Sequence, residues 1–293
     1  GLDIDERAAQ LAYFAVMMKA RQYDRRFLTR GIVPHVYAIH ETNALGGSYQ
    51  YDMGDFLLSK EYQDTLNYLL DAFIDAKEYG SILQLENRDY RGLERAWVYT
   101  AEHTTGNAGL TLWQHAVAPE FPHLIKQAIA LTQKYHVVVT NPPYINAGNM
   151  NKKLCDYIAN HFSDYKSDFF STFMYRCTAF SKTYGQLGFL TPYVWMFIQT
   201  YEKLRLFMCS SNTIDNLIQF EYSAFEEATV PICSFTLSKG RINNNVSNYI
   251  RLTDFRGGME IQRVKTLEAK NNRYCSYYYK CNAENFSRIP GTP

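Results

Sequence analysis

The chain has 293 residues, 46% hydrophobic and 20% charged, with a formal net charge of +1 at pH 7. This is enough for one large or two smaller domains with a sizeable core, and it excludes a disordered chain. No apolar run is long enough to span a membrane and no secretory signal is evident. The six cysteines form no CxxC pair or disulfide framework, so a reduced, cytoplasmic protein with buried thiols is expected. Charge is uneven: residues 241–293 carry nine Lys/Arg against four Asp/Glu, a net +5, which leaves −4 for residues 1–240. A basic end is compatible with a nucleic-acid partner and equally with a solvated charged face.

In chain order, Gly1-Leu2-Asp3-Ile4-Asp5 reads as the tail of a strand. It runs into an expected helix over Glu6–Ala20, where Ala8, Leu11, Ala12, Ala15 and Val16 fall at helical spacing. An acidic residue between a strand and a helix is the usual partner of a cofactor ribose in Rossmann-like folds. The plainer role for Asp3 or Asp5 is to cap the helix. A Rossmann unit would also place a Gly-rich strand–turn–helix before this point; none is present, so the sequence reads as a fragment cut after that element. Val33–Ile39 is a candidate second strand ending in His40-Glu41-Thr42-Asn43, which puts Asn43 at a strand's carboxyl end. Gly46-Gly47-Ser48 is an expected loop, and Lys60–Tyr79 an expected helix with Tyr62, Leu66, Leu69, Leu70, Phe73 and Ile74 in one apolar stripe. Glu86–Thr100 reads as helical or irregular, Ala101–Gly109 as a loop, and Pro122–Lys134 as a helix.

The stretch Val137-Val138-Val139-Thr140-Asn141-Pro142-Pro143-Tyr144 follows. Three β-branched residues predict a short buried strand, and two prolines without N–H groups stop its ladder. The strand therefore hands Asn141, two prolines and an aromatic ring to its carboxyl end, where open α/β sheets bind ligands; the plainer reading is a strand and a Pro-Pro turn. Asn141 lies 138 residues after Asp3, more than a minimal doubly wound domain needs, so a helical insertion is expected over 44–120. Beyond Tyr144, Ile145–Asn151 is a small polar segment that suits a loop beside a site. Ser167–Ser181 is an expected helix with Asp168 near its start and Phe169, Phe170, Phe173, Met174, Cys177 and Phe180 on one face. Gly185 and Gly188 are expected to flank a turn before a strand at Phe189–Pro192. Trp195–Cys209 reads as helical, Asn216–Gln219 and Val230–Leu237 as strands, with Phe225-Glu226-Glu227 between them. The alternation of strand and helix predicts the α/β class.

These pieces together resemble the amino-group, adenine-specific DNA methyltransferases, in particular the large PglX methyltransferases of BREX phage-defence systems and their type IIG restriction-modification relatives. Gly1–Asp5 is similar to their motif II, Asn141-Pro142-Pro143-Tyr144 to their catalytic motif IV, Ser167–Phe180 with Gly185–Trp195 to motif V and the strand after it, and Phe225–Leu237 to the strand pair near motif VIII. The resemblance implies an α/β, Rossmann-like S-adenosylmethionine-dependent fold, with residues 1–43 and 121–240 as methyltransferase core, 44–120 as insertion and 241–293 as the start of a target-recognition region. It implies S-adenosyl-L-methionine as cofactor, double-stranded DNA and other defence-system proteins as partners, and no membrane. Asn141, Pro142, Pro143 and Tyr144 would be catalytic. Asp3 would bind the cofactor ribose and Ile4 would lie against its adenine, with Asn43 and Asp168 at positions that contact the cofactor. For Asp168 a helix N-terminal charge serves as well. The family's Gly-rich motif I is not in the sequence, which implies a parent methyltransferase and a piece inactive alone.

Two other functions share these residues. The same tetrapeptide serves glutamine-N5 and ribosomal RNA base methyltransferases, whose compactness contrasts with the long insertion here. A non-catalytic DNA- or partner-binding module fits the missing Gly-rich loop. A cytosine-C5 enzyme needs a Pro-Cys pair that the sequence lacks, and the seven histidines, His103 and His115 among them, show no metal-site spacing.

Overall fold

The structure, a computed structural model, describes residues 1–45, 58–103, 118–222, 230–282 and 285–286. The expected loop at Gly46–Ser48, residues 104–109, His115 and Phe225–Glu227 lie outside the described residues. The chain divides into two compact units, Gly1–Gln133 and Lys134–Pro293.

In the first unit, β1 (Leu2–Asp3) pairs in parallel with β2 (Tyr37–Ala38). The second strand is far shorter than the Val33–Ile39 expected, because Pro34 has no N–H for a ladder and its carbonyl instead accepts from Val36 in a local turn. Helix α1 (Glu6–Tyr23) follows β1 and buries only Ala9, leaving Leu11 and Val16 of the apolar stripe exposed. Among the described residues the unit also holds helices α2 (Lys60–Ala72), α3 (Ala76–Tyr79), α4 (Tyr90–His103) and α5 (Phe121–Thr132). The stripe Leu66, Leu69, Leu70 and Phe73 is buried, and Trp97 of α4 meets Phe121 of α5 edge-on at 5.0 Å. The single helix expected over Lys60–Tyr79 is broken: Asp75 sits in the left-handed region at φ 55°, which an α-helix cannot accommodate.

The second unit is built on six strands: β3 (Tyr135–Thr140), β4 (Ser181–Pro192), β5 (Asn212–Gln219), β6 (Ile232–Lys239), β7 (Val246–Arg251) and β8 (Tyr278–Asn282), in the order β3-β4-β6-β5-β7-β8. β3, β4, β5 and β7 run one way, and β6 and β8 oppose their neighbours. The expected α/β class is what the chain forms, with a mixed sheet that runs on past residue 240. Helices α6 (Lys152–His161), α7 (Phe169–Phe180), α8 (Glu202–Ser210) and α9 (Gly258–Asn271) accompany it.

The main core lies on one face of this sheet. Phe170, Met174 and Cys177 of α7 and Leu204 and Met208 of α8 pack over Leu187 and Phe189 of β4 and Cys233, Phe235 and Leu237 of β6. The strand residues alternate, as a half-buried sheet requires, and the cross-strand pair Phe189–Phe235 stacks at 5.2 Å. All six cysteines are free thiols, with Cys177 and Cys233 buried and the other four half-buried.

Three sequence expectations are corrected in this unit. The triple-valine strand is not buried on both faces: β3 is the edge of the described sheet, Val137 and Val139 are 59% and 74% exposed, and only Val138 packs on the core. Gly185 and Gly188 lie inside β4, not at a turn before a short strand. The strand is irregular near Tyr184 (φ 58°), and its register against β3 slips between Tyr135 and Val137. Trp195–Cys209 is two 3-10 turns, Tyr193–Met196 and Gln199–Tyr201, before α8.

Candidate active site

β3 delivers Asn141-Pro142-Pro143-Tyr144 to the carboxyl edge of the parallel strands. Thr140 pairs with Phe189, so the next register position brings Asn141 beside Leu190. Pro142 and Pro143 have no N–H to offer the Leu190 carbonyl, and the ladder ends there. The Tyr144 hydroxyl donates to that carbonyl instead, at 3.1 Å, and also lies 2.8 Å from Asn141 Oδ1. Burial of its hydroxyl end, with a smaller contribution from Cys233, pushes the Tyr144 pKa up to about 12, so it stays a protonated phenol. Pro142 is buried, which anchors the turn, while Asn141 and the Tyr144 ring remain exposed.

The segment after Tyr144 is fastened to the start of α7. Ala147 N–H donates to Ser167 O at 3.3 Å, Phe169 N–H donates to Ile145 O at 2.9 Å, and Asn146 bridges to Asp168. Asp168 stands at the N-cap position of α7 in an extended conformation, but its side chain makes no capping bond. Its Oδ2 accepts instead from the Tyr201 hydroxyl at 2.5 Å. Burial raises the Asp168 pKa, and the Tyr201 bond pulls it partly back. Tyr201 had no signal in the sequence: it is 33 residues from Asp168 and sits in a short 3-10 turn.

In the first unit the cap of α1 is Asp5, whose Oδ1 accepts from Ala8 N–H at 2.8 Å. Asp3 is thereby relieved of capping. Its Oδ1 accepts from Asp5 N–H at 2.9 Å, and its other oxygen is left to a further donor. Ile4 is 53% exposed. At the carboxyl end of β2 a cavity of about 330 Å³ is lined by Glu6, Ile39, His40, Glu41, Asn43 and Lys77 among others. Asn43 borders this cavity, but both ends of its amide serve Asp75: Nδ2 donates to Asp75 Oδ1 at 2.9 Å and Oδ1 accepts from Asp75 N–H at 2.7 Å. That clamp holds the left-handed corner between α2 and α3. His40 Nδ1 lies 3.2 Å from Glu120 Oε2, and the His40 ring stacks on His123 at 4.6 Å.

The structure thus joins Asn141 to Tyr144 and ties the segment after them to Asp168; Asp3, Ile4 and Asn43 belong to the other unit. A sheet end that combines an exposed side-chain amide, a rigid Pro-Pro turn and an exposed aromatic ring is suited to hold an exocyclic amine, the requirement of an amino-group methyltransferase.

Residues 1–225 match the sequence profile of the Eco57I restriction-modification methylase family, and the chain belongs to that family. It is similar to the adenine-specific methyltransferase PglX of Lacticaseibacillus casei (strain Zhang), with 31% identity over 303 residues, covering 100% of this chain and 24% of the relative. It is likewise similar to the adenine-specific methyltransferase BrxX of Escherichia coli O9:H4 (strain HS), with 31% identity over 318 residues, covering 100% of this chain and 25% of the relative. The chain spans about a quarter of the length of these curated relatives. Among solved structures it is similar to the type I restriction-modification system methyltransferase subunit from Streptococcus thermophilus, with TM-score 0.39 and 15% identity, over 53% of this chain and 36% of that one.

Proposed function

We propose that this chain is part of an adenine-specific DNA methyltransferase that moves a methyl group from S-adenosylmethionine to the N6 amine of adenine in double-stranded DNA, within a restriction-modification or BREX-like defence system. The observation that carries this reading is Asn141 exposed at the end of β3, with Tyr144 beside it and two prolines fixing the turn between them. The adenine N6 lone pair is delocalised into the ring, so the amine is a poor nucleophile. Two acceptors that hold its hydrogens localise the lone pair on nitrogen: Asn141 offers its side-chain oxygen and Pro142 its backbone carbonyl. The exposed Tyr144 ring offers a flat face to a base swung out of the duplex.

The residues present fit the cofactor. Asp3 has one carboxylate oxygen beyond its local turn, suited to a ribose hydroxyl, and Ile4 is an exposed apolar neighbour suited to adenine. Bound S-adenosylmethionine supplies a sulfonium-activated methyl group, which leaves the protein the task of positioning. Asn43 is the weakest member of the set, since its amide is spent on Asp75. Asp168 is a half-buried carboxylate tied through the backbone to the segment after Tyr144, and we assign it to the site around Asn141. Residues 1–43 and 121–240 are read as core, 44–120 as an insertion that includes α2 to α4, and 241–293 as the approach to target recognition.

The test is label transfer from methyl-labelled S-adenosylmethionine, offered to unmethylated DNA, RNA and a glutamine-containing peptide in parallel. It uses this chain and a form extended to the length of its relatives. Label in DNA with the extended form supports the proposal. Label only in RNA or peptide transfers the chemistry to another acceptor, and label nowhere leaves a binding module.

A further inference from the structure

We infer that the Tyr144 hydroxyl is a positioning group that turns the Asn141 amide so that its oxygen faces the incoming amine. The reason lies in a count of protons. The hydroxyl lies within hydrogen-bond distance of two acceptors, Asn141 Oδ1 at 2.8 Å and the Leu190 carbonyl at 3.1 Å, and it has one hydrogen to give. One hydrogen can make a full, linear bond to only one of them. The Leu190 carbonyl is an obligate acceptor at the point where two prolines have removed the backbone donors, so it has first claim on the proton. The phenol oxygen then has only lone pairs to offer Asn141. An amide oxygen would meet them as a like partner, whereas the amide NH₂ would donate to them.

Oxygen and nitrogen of an asparagine side chain are placed by their hydrogen bonds, and here the bonds are satisfied by the flipped amide: Nδ2 toward Tyr144, Oδ1 away from it. The high pKa of Tyr144 keeps its single proton in place, so the chain Asn141 Nδ2–H to Tyr144 Oη, Tyr144 O–H to Leu190 O has one direction. That direction leaves both Oδ1 lone pairs for the substrate amine. With the opposite orientation Oδ1 would share itself with the phenol, and the NH₂ would confront the hydrogens it is meant to hold.

This inference rests on the methyltransferase reading, and the experiment separates the two. In the extended form, Tyr144→Phe keeps the ring and removes only the hydroxyl, while Asn141→Ala removes the acceptor itself. For Tyr144→Phe, kcat is expected to fall about tenfold, the scale of one hydrogen bond, with KM for DNA and for S-adenosylmethionine within about twofold of the parent. The fluorescence rise of a 2-aminopurine placed at the target base should persist, since the ring that meets the base is intact. Equal kcat for Tyr144→Phe and the parent, with Asn141→Ala inactive, overturns the positioning role and leaves the function standing. A loss in KM or in 2-aminopurine signal instead of kcat also overturns it, because the hydroxyl would then act in binding. Failure of the parent to methylate DNA removes the function and this inference together.

Discussion

At the scale of single residues, the two acidic side chains at the amino terminus have been given different work by geometry. Asp5 caps α1 and Asp3 does not, so their substitutions should separate. Asp5→Ala is expected to destabilise the fold by about 1 kcal/mol, seen as a lower denaturant midpoint. Asp3→Asn is expected to leave that midpoint nearly unchanged and to raise KM for S-adenosylmethionine about tenfold in the extended form; the reverse pattern would return Asp3 to a capping role. Asp168 makes a pH prediction. Burial raises its folded pKa, so the folded chain holds the proton more tightly than the unfolded one. Stability from this group is therefore present at low pH and lost as pH rises through the raised value. Asp168→Asn keeps an acceptor for Tyr201 and removes the charge. It should raise the melting temperature at pH 7, by a margin that shrinks as pH falls through the carboxylate range. A margin independent of pH would contradict the burial argument.

At the scale of elements, β4 is the strand on which both the core and the site depend, and its glycines are not equivalent. A Cβ on Gly185 would come within 2.4 Å of Ser181 Oγ and 2.9 Å and 3.0 Å of the Lys182 and His136 carbonyls, whereas one on Gly188 would meet only Val139 methyls at 3.6–3.7 Å. Gly185→Ala should cost about 1–3 kcal/mol in denaturant unfolding and Gly188→Ala close to nothing; equal effects would mean the slip in register is not a tight approach. This strand also shows the limit of what the sequence conveys. The helical stripes of α2 and α7 and the α/β class are written in local spacing, and each is found in the structure. The two glycines read as a turn because only the close approach of Ser181 and His136 reveals why the strand needs Gly185, and Gly188 meets no such contact. Three consecutive valines look the same in a central strand and at an edge, so the exposure of Val137 and Val139 was not legible. Nor was Tyr201, or the use of Asn43 as a clamp, because both depend on partners more than 30 residues away.

At the scale of the whole molecule, the +5 of residues 241–293 is smaller in effect than its count. Arg263 and Lys265 pair with Glu260 and Glu268 on α9, which leaves exposed residues such as Arg273 and Lys280 to meet a polyanion. If this region touches the DNA backbone, changing both to Gln should flatten the plot of log Kd against log salt by about 0.9 for each phosphate left unneutralised; an unchanged slope would place DNA elsewhere. The chain belongs to the Eco57I restriction-modification methylase family and covers about a quarter of its curated relatives, so the proposed chemistry is best measured on the extended form. The most direct measurement is nucleoside analysis by mass spectrometry of DNA incubated with S-adenosylmethionine and that form, alongside its Asn141→Ala variant. N6-methyladenine is expected with the parent, and a loss of at least about a hundredfold with the variant. Methylation at another atom, or undiminished N6-methyladenine without the Asn141 amide, would contradict this expectation.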